Sequence, residues 1–205
     1  SNLGLQLDYN YAGKYYADFS MAAVHSAKLP EGNRIGLSPS FTLGWRLSEE
    51  EYMKNVKFVN ELKLRLSYGV VGNQSGISRY DGMQLYNFNS VNGAYIGDGR
   101  ISYIKTSGEI ATMGRSWERI HNYNLGLDFH LFDSRLQGTV ELFMKKNNNM
   151  LIAVAYPGIL GDKAPASNSG KFEAKGYEGT VTWSDKIGKV NYHVGGTFTY
   201  ADNKL

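Results

Sequence analysis

The side chains that could do chemistry are few and scattered. Four histidines stand at positions 25, 121, 130 and 193, and there is no cysteine. A disulfide framework and a thiolate metal site are therefore excluded. Glu118-Arg119-Ile120-His121 would serve a metal on a helix, where residues three apart share a face. In a strand the same spacing points the two side chains to opposite faces. No G-x-S-x-G, H-E-x-x-H or phosphate loop occurs, so no enzymatic role, no cofactor and no metal is expected. The richest stretch is 72–116. It carries Tyr80, Asp81, Tyr86, Phe88, Asn92 and Tyr95 among other aromatic and polar residues. Aromatic faces stack on sugar CH surfaces, while carboxamides and carboxylates bond to hydroxyls. The same set would hold a peptide. These six are the candidate substrate-binding residues, against the plainer reading that the aromatics pack the segment onto its neighbours.

Those residues need elements to position them, and the sequence is dominated by alternation of period two. Leu3, Leu5, Leu7, Tyr9 and Tyr11 alternate with polar residues, and Tyr15, Ala17, Phe19, Met21 and Ala23 follow a tight Ala12-Gly13-Lys14 turn. Six further segments repeat the pattern, around 35–47, 62–70, 122–131, 136–145, 177–183 and 190–200. Successive strand side chains point to opposite faces, so each segment has one apolar and one polar face. The polar faces carry Asp8, Asp18, Arg46, Lys63, Arg65, Asp128, Glu141 and Glu178. Both signs are mixed, so no selective charge ring is implied.

The links between segments alternate in length. Short ones lie at 12–14, 133–135 and 185–189; long ones lie at roughly 25–33, 72–116 and 146–172. Successive hairpin turns fall at opposite ends, so the long loops share one rim. Ser48-Glu49-Glu50-Glu51, on the short rim, reads as a capping box opening one or two helical turns. The loop at 146–172 carries Met150, Leu151, Ile152, Tyr156 and Pro157, which suit packing better than a polar ligand. Short turns on one rim, long loops on the other and strands of about ten residues mark an outer-membrane barrel. Tyr9, Tyr11, Tyr15, Trp45, Tyr123, Trp183 and Tyr200 near strand ends suit interfacial girdles.

Composition agrees. With 24 glycines and 13% aromatics in 205 residues, the chain suits a turn-rich β protein and not a coiled coil or disordered tail. A net charge of +3 without a basic block gives no reason to expect nucleic acid. No apolar run approaches the ~18 residues of a membrane-spanning helix. The opening SNLGLQLDYNY is not a signal peptide, which leaves a cytosolic protein or a chain whose start is not that of the gene product.

Specific runs point further. SPSFTLGWRLSEEEYMK (38–54), LKLRLSYGVVGNQ (62–74), SWERIHNYNLGLDFHLFDSRLQGTVELFMKKNNNML (116–151), NSGKFEAKGYEGTVTW (168–183) and YAGKYYADFSM (11–21) together resemble the SusC/RagA family of TonB-dependent outer-membrane transporters. One departure is Val24-His25-Ser26, where the family commonly has an Arg-Asp-Gly-Ser run. The matches run collinearly over nearly the whole chain. The resemblance implies an all-β, antiparallel transmembrane β-barrel segment, about eight up-and-down strands of a barrel of about 22. Residues 1–205 would be a partial barrel, with plug, TonB box and terminal strands absent. It further implies outer-membrane localisation, lipid contact, and import of oligosaccharides or peptides beside a SusD-like surface lipoprotein. Energy would come from TonB-ExbB-ExbD through the absent N-terminal region.

Two other architectures compete. A soluble β-sandwich carbohydrate-binding module would also have alternating strands. An eight-stranded barrel closed on itself would pair the first strand with the last, bringing Leu5 near Val194.

Overall fold

A computed structural model describes residues 1–81, 83–89, 95–100, 103–106, 110–112, 114–155 and 165–205, with the backbone alone at 87–89, 95–96, 100 and 103–106. Eight strands form one antiparallel sheet: β1 (Asn2–Tyr11), β2 (Tyr15–His25), β3 (Ile35–Arg46), β4 (Val59–Asn73), β9 (Glu118–Leu131), β10 (Leu136–Ile152), β11 (Ser167–Ile187) and β12 (Val190–Lys204). Each pairs with the next in chain order. Four short strands, β5 (Tyr86–Asn89), β6 (Tyr95–Ile96), β7 (Gly99–Arg100) and β8 (Tyr103–Thr106), lie in the long connection between β4 and β9. They pair as two small ladders, β5 with β8 and β6 with β7.

The ladder turns the alternation into two faces. One register row crosses the sheet as Tyr9, Ala17, Leu43, Leu66, Leu125, Leu142, Tyr177 and Tyr200, with only small or apolar residues and Tyr. One residue along, the row is Asn10, Tyr16, Gly44, Arg65, Gly126, Glu141, Glu178 and Thr199. A slip of one residue in any pair would exchange the faces, so the pattern fixes the register. Leu5, Leu125 and Leu142 are 49%, 41% and 52% exposed. A soluble sandwich would bury them under a second sheet; among the described residues none packs there, which disfavours that alternative. The self-closed barrel fails: the order runs from β1 to β12, and no register pairs those two strands.

The short rim is made of tight connections. Ala12 and Gly13 both adopt left-handed backbone (φ 54° and 66°), the geometry of tight hairpin turns, and Lys14 N–H donates to Tyr11 C=O at 3.0 Å. β11 and β12 are joined by Gly188-Lys189 alone, so the expected 185–189 link is shorter than its sequence suggested. The expected capping box is not formed. The helical piece is one 3₁₀ turn, Leu47–Glu49, without a side-chain cap, and Ser48 Oγ has no hydrogen-bond partner. Glu50 ends it in extended backbone (φ −73°, ψ 148°) and turns its carboxylate to β2 and β3.

At the other rim the strands run further than their apolar alternation. β10 reaches Ile152 and β11 starts at Ser167, shortening the 146–172 loop to 153–166. Beyond Met144 and Tyr177 the outward positions become Lys146, Lys175 and Glu173. The hydrophobic period therefore stops while the backbone ladder continues. The buried core is small and sits at this rim: Leu29, Ile77 and Trp117, with Val24 and Leu151 against them. Trp117 lies beyond the last β3–β4 pair, Ser40 with Gly69, between Gly36 and Gly72. A Cβ on either glycine would come within 2.7 and 3.0 Å of its ring.

Candidate functional site

The inward face is organised around Arg65. Its guanidinium donates from Nε and Nη2 to the two Asp128 oxygens (2.7 and 3.0 Å), and from Nη2 to Glu141 Oε1 at 2.6 Å. Thr139 Oγ1 donates to Asp128 at 2.9 Å. Gly126 makes room, because a Cβ there would sit 2.9 Å from Arg65 Nη2. Toward the short rim, Glu61 takes Arg46 at 3.6 Å and His130 at 3.5 Å, and Lys63 Nζ stands 4.9 Å over the Tyr16 ring. Of the eight polar residues expected to face water, Arg46, Arg65, Asp128 and Glu141 thus enter ion pairs, in two groups on β3, β4, β9 and β10. On the short rim itself, Glu50 accepts from Tyr15 Oη at 2.6 Å, Trp45 Nε1 at 3.0 Å and Lys14 Nζ at 3.5 Å. The Tyr15 and then the Trp45 hydrogen bond hold its carboxyl below the ordinary carboxylate range.

At the long-loop rim a second hub gathers the loop bases. Glu118 is buried and accepts from Asn73 Nδ2 (2.9 Å), Asn147 Nδ2 (3.4 Å) and the Leu151 N–H (2.9 Å), tying β4, β9 and β10 together. Asn168 spans β11 and the approach to β9. It donates to Ser116 C=O (3.1 Å) and Asn149 C=O (2.8 Å), and accepts from Ser116 N–H (3.0 Å). Glu118 and His121 do lie on opposite faces; Tyr68 Oη is 2.9 Å from His121 Nδ1 on the outward side.

Of the six candidate substrate residues, the side chains of Tyr80, Asp81 and Tyr86 are among those described. Asp81 is committed to the loop itself: it ion-pairs with Arg115 and accepts from Ser78 N–H at 2.8 Å. Tyr80 and Tyr86 are exposed, at 53% and 64%. Phe88 lies two positions after Tyr86 on β5, and Tyr95 pairs with Arg100 in the β6–β7 ladder. Asn92 lies outside the described residues.

A sheet with an open apolar face, a polar face with ion pairs and unequal rims has the features of a wide membrane barrel. The family model described as TonB dependent receptor-like, beta-barrel matches residues 2–205. The chain belongs to that family. It is 30% identical to TonB-dependent receptor P39 of Formosa agariphila, over 100% of this chain and 19% of that protein. It is 31% identical to TonB-dependent receptor SusC of Bacteroides thetaiotaomicron, over 86% of this chain and 18% of that one. The RagAB peptide importer in its closed-closed state superposes with a TM-score of 0.83 at 25% identity, covering 98% of this chain and 22% of the importer chain. The chain thus spans about a fifth of the length of the relatives it matches.

Membership of the TonB-dependent receptor-like barrel family fixes the environment of each face: the protein is of the outer membrane. The outward face meets lipid and the inward face meets the lumen. Aromatic pairs mark the edges of the lipid belt. Tyr11, Tyr15 and Trp45 (6.4 Å between successive rings) and Phe132 with Trp183 (6.4 Å) lie near the short rim. Tyr68 with Tyr123 (4.9 Å) and Tyr177 with Tyr200 (5.3 Å) lie toward the long loops. Six of the seven residues that the sequence placed in girdles belong to these aromatic pairs, and Tyr9 stands two register pairs inside Tyr11.

The Glu118 hub and the Trp117 contact went unrecognised as sites in the sequence. The available signal was parity: Asn73, Glu118 and Asn147 all fall on inward positions of paired strands.

Proposed function

We propose that this chain is the wall of an outer-membrane transporter that imports oligosaccharides or peptides, and that it is not an enzyme. The observation that carries the reading is the two-faced sheet, lipid belt outside and ion-paired lumen inside, with its long loops gathered on one rim. In a barrel of this family that rim faces the cell exterior. Plug and TonB contact belong, in this reading, to parts of the receptor outside the 205 residues, with import driven by TonB, ExbB and ExbD. A SusD-like surface lipoprotein covers the long-loop rim. The relatives named SusC and RagAB support that partnership, and the name of the latter supports peptide as one cargo class.

Substrate contact is assigned to the β4–β9 connection. Tyr80 and Tyr86 present open aromatic faces, and Phe88, Asn92 and Tyr95 complete the set on grounds of residue type. Asp81 contributes there by holding the loop through Arg115 and Ser78. The test is uptake of fluorescent oligosaccharides and of fluorescent short peptides by cells carrying the full-length receptor, with and without TonB. Uptake of one class, lost without TonB and weakened about fivefold or more by Tyr80→Ala or Tyr86→Ala, fits the reading. Uptake of neither class, or uptake indifferent to TonB, would overturn it.

A further inference from the structure

Outward positions are apolar through the lipid belt and then change character abruptly above the Tyr123, Tyr177 and Tyr200 line. Above that line the outward residues are His121 and Arg119 on β9, Lys146 and Asn148 on β10, Lys175, Glu173 and Lys171 on β11, and Asp202 and Lys204 on β12, so five Lys and Arg side chains stand against two carboxylates. Only Lys146 and Glu173 are joined in an ion pair, at 3.3 Å, among the described residues of this group. Lys146, Asn148, Lys171, Glu173 and Lys204 line a shallow recess of about 410 Å³. The opposite rim has no such excess: its outward Asp185 is matched by Arg135 at 3.4 Å.

Depth decides what these cations meet. Two residues of strand advance ~6.7 Å, or ~5 Å along the membrane normal at a barrel tilt of about 40°. Lys175 and Lys171 follow Tyr177 by one and three such steps, so the cluster lies ~5–15 Å beyond the interfacial tyrosines. That is the headgroup layer of the outer leaflet, since the long loops of this rim face outward. Lysines at this height on the lipid side cannot serve the lumen, and in a headgroup layer they attract phosphate.

We propose that the outward face of β9–β12 is a binding site for a phosphorylated lipid headgroup of the outer leaflet. The Lys146, Lys171 and Lys204 ammonium groups bind the phosphate, Asn148 bonds the adjoining sugar hydroxyls, and the acyl chains lie on the Leu125, Leu142 and Tyr177 surface below.

The test uses full-length receptor in detergent, titrated with bisphosphorylated lipid A and with its dephosphorylated counterpart, and read by native mass spectrometry. Unmodified receptor should bind the phosphorylated lipid tighter, and the difference should shrink with added salt. A triple variant, K146Q/K171Q/K204Q, should lose about fivefold in affinity per lysine. K189Q, which removes a lysine from the opposite rim, should lose nothing. Equal affinity for both lipids, unchanged binding by the triple variant, or an equal loss in K189Q would each overturn the proposal. The two-lipid comparison needs no variant, so misassembly of the triple variant leaves the test intact.

Discussion

Placing arginine on the lipid face should cost far more than placing it one residue away. On β9 the outward apolar positions run from Leu131 to Tyr123, with Leu127 at their centre, paired to Leu64 and Val140. Eight steps of ~3.4 Å, tilted about 40°, give a belt ~21 Å tall. Leu125 then lies ~5 Å from the middle, between Leu66 and Leu142. A lipid-facing arginine costs about 2–4 kcal/mol at the midplane and about 0–1 near an interface, so Leu125→Arg should cost about 2 kcal/mol. Asn124, on the same strand, faces the lumen between Ser67 and Phe143, where Asn124→Arg should stay within about 0.5 kcal/mol. The assay is urea-dependent folding of the full-length receptor into phospholipid vesicles, followed by heat-modifiable migration. The profile should peak at Leu127→Arg and fall toward Leu131→Arg. Equal costs at 124 and 125, or a flat profile with depth, would refute the assignment of faces.

Three other outcomes follow from named contacts. Arg65→Ala should leave Asp128 and Glu141 facing each other without their shared cation; with all three groups about a quarter to a third exposed, a loss of about 1 kcal/mol is expected in the same urea assay. Arg65→Lys should not restore it, because the bidentate fork is lost. Trp117→Ala should cost about 3–5 kcal/mol locally, read as faster hydrogen exchange in the loop segments around Leu29 and Ile77; Gly36→Ala should give the same signature through a clash with the ring. Glu50's carboxyl is held below its ordinary value of 4.5, so its ties to Tyr15 and Trp45 are fully present above that pH. They are lost as pH falls through the lowered folded value. Trp45 fluorescence should change in that acidic window, and Glu50→Gln should abolish the change.

The alternation of apolar and polar residues was enough to place all eight strands, their two faces and the unequal rims. A period of two leaves a strand one way to turn its apolar side to lipid. The motif runs were enough to point to the family before any geometry. What the chain's one-dimensional pattern could not carry was anything that depends on neighbours from distant strands. Glu118 reads as one more polar residue until Asn73, Asn147 and Leu151 are brought to it from β4 and β10. Arg65, Asp128 and Glu141 read as mixed charge until the register sets them in contact. Ser48 to Glu51 carried a capping-box spelling, yet the helical turn stops at Glu49 and Ser48 Oγ stays unpartnered; the extended Glu50 that ends it is held by Tyr15 and Trp45 from β2 and β3, so the local signal lost to a tertiary one. The upper ends of β10 and β11 were missed for a related reason. There the backbone ladder and the Lys146–Glu173 pair hold the strands after hydrophobicity, the only quantity that alternation reports, has run out.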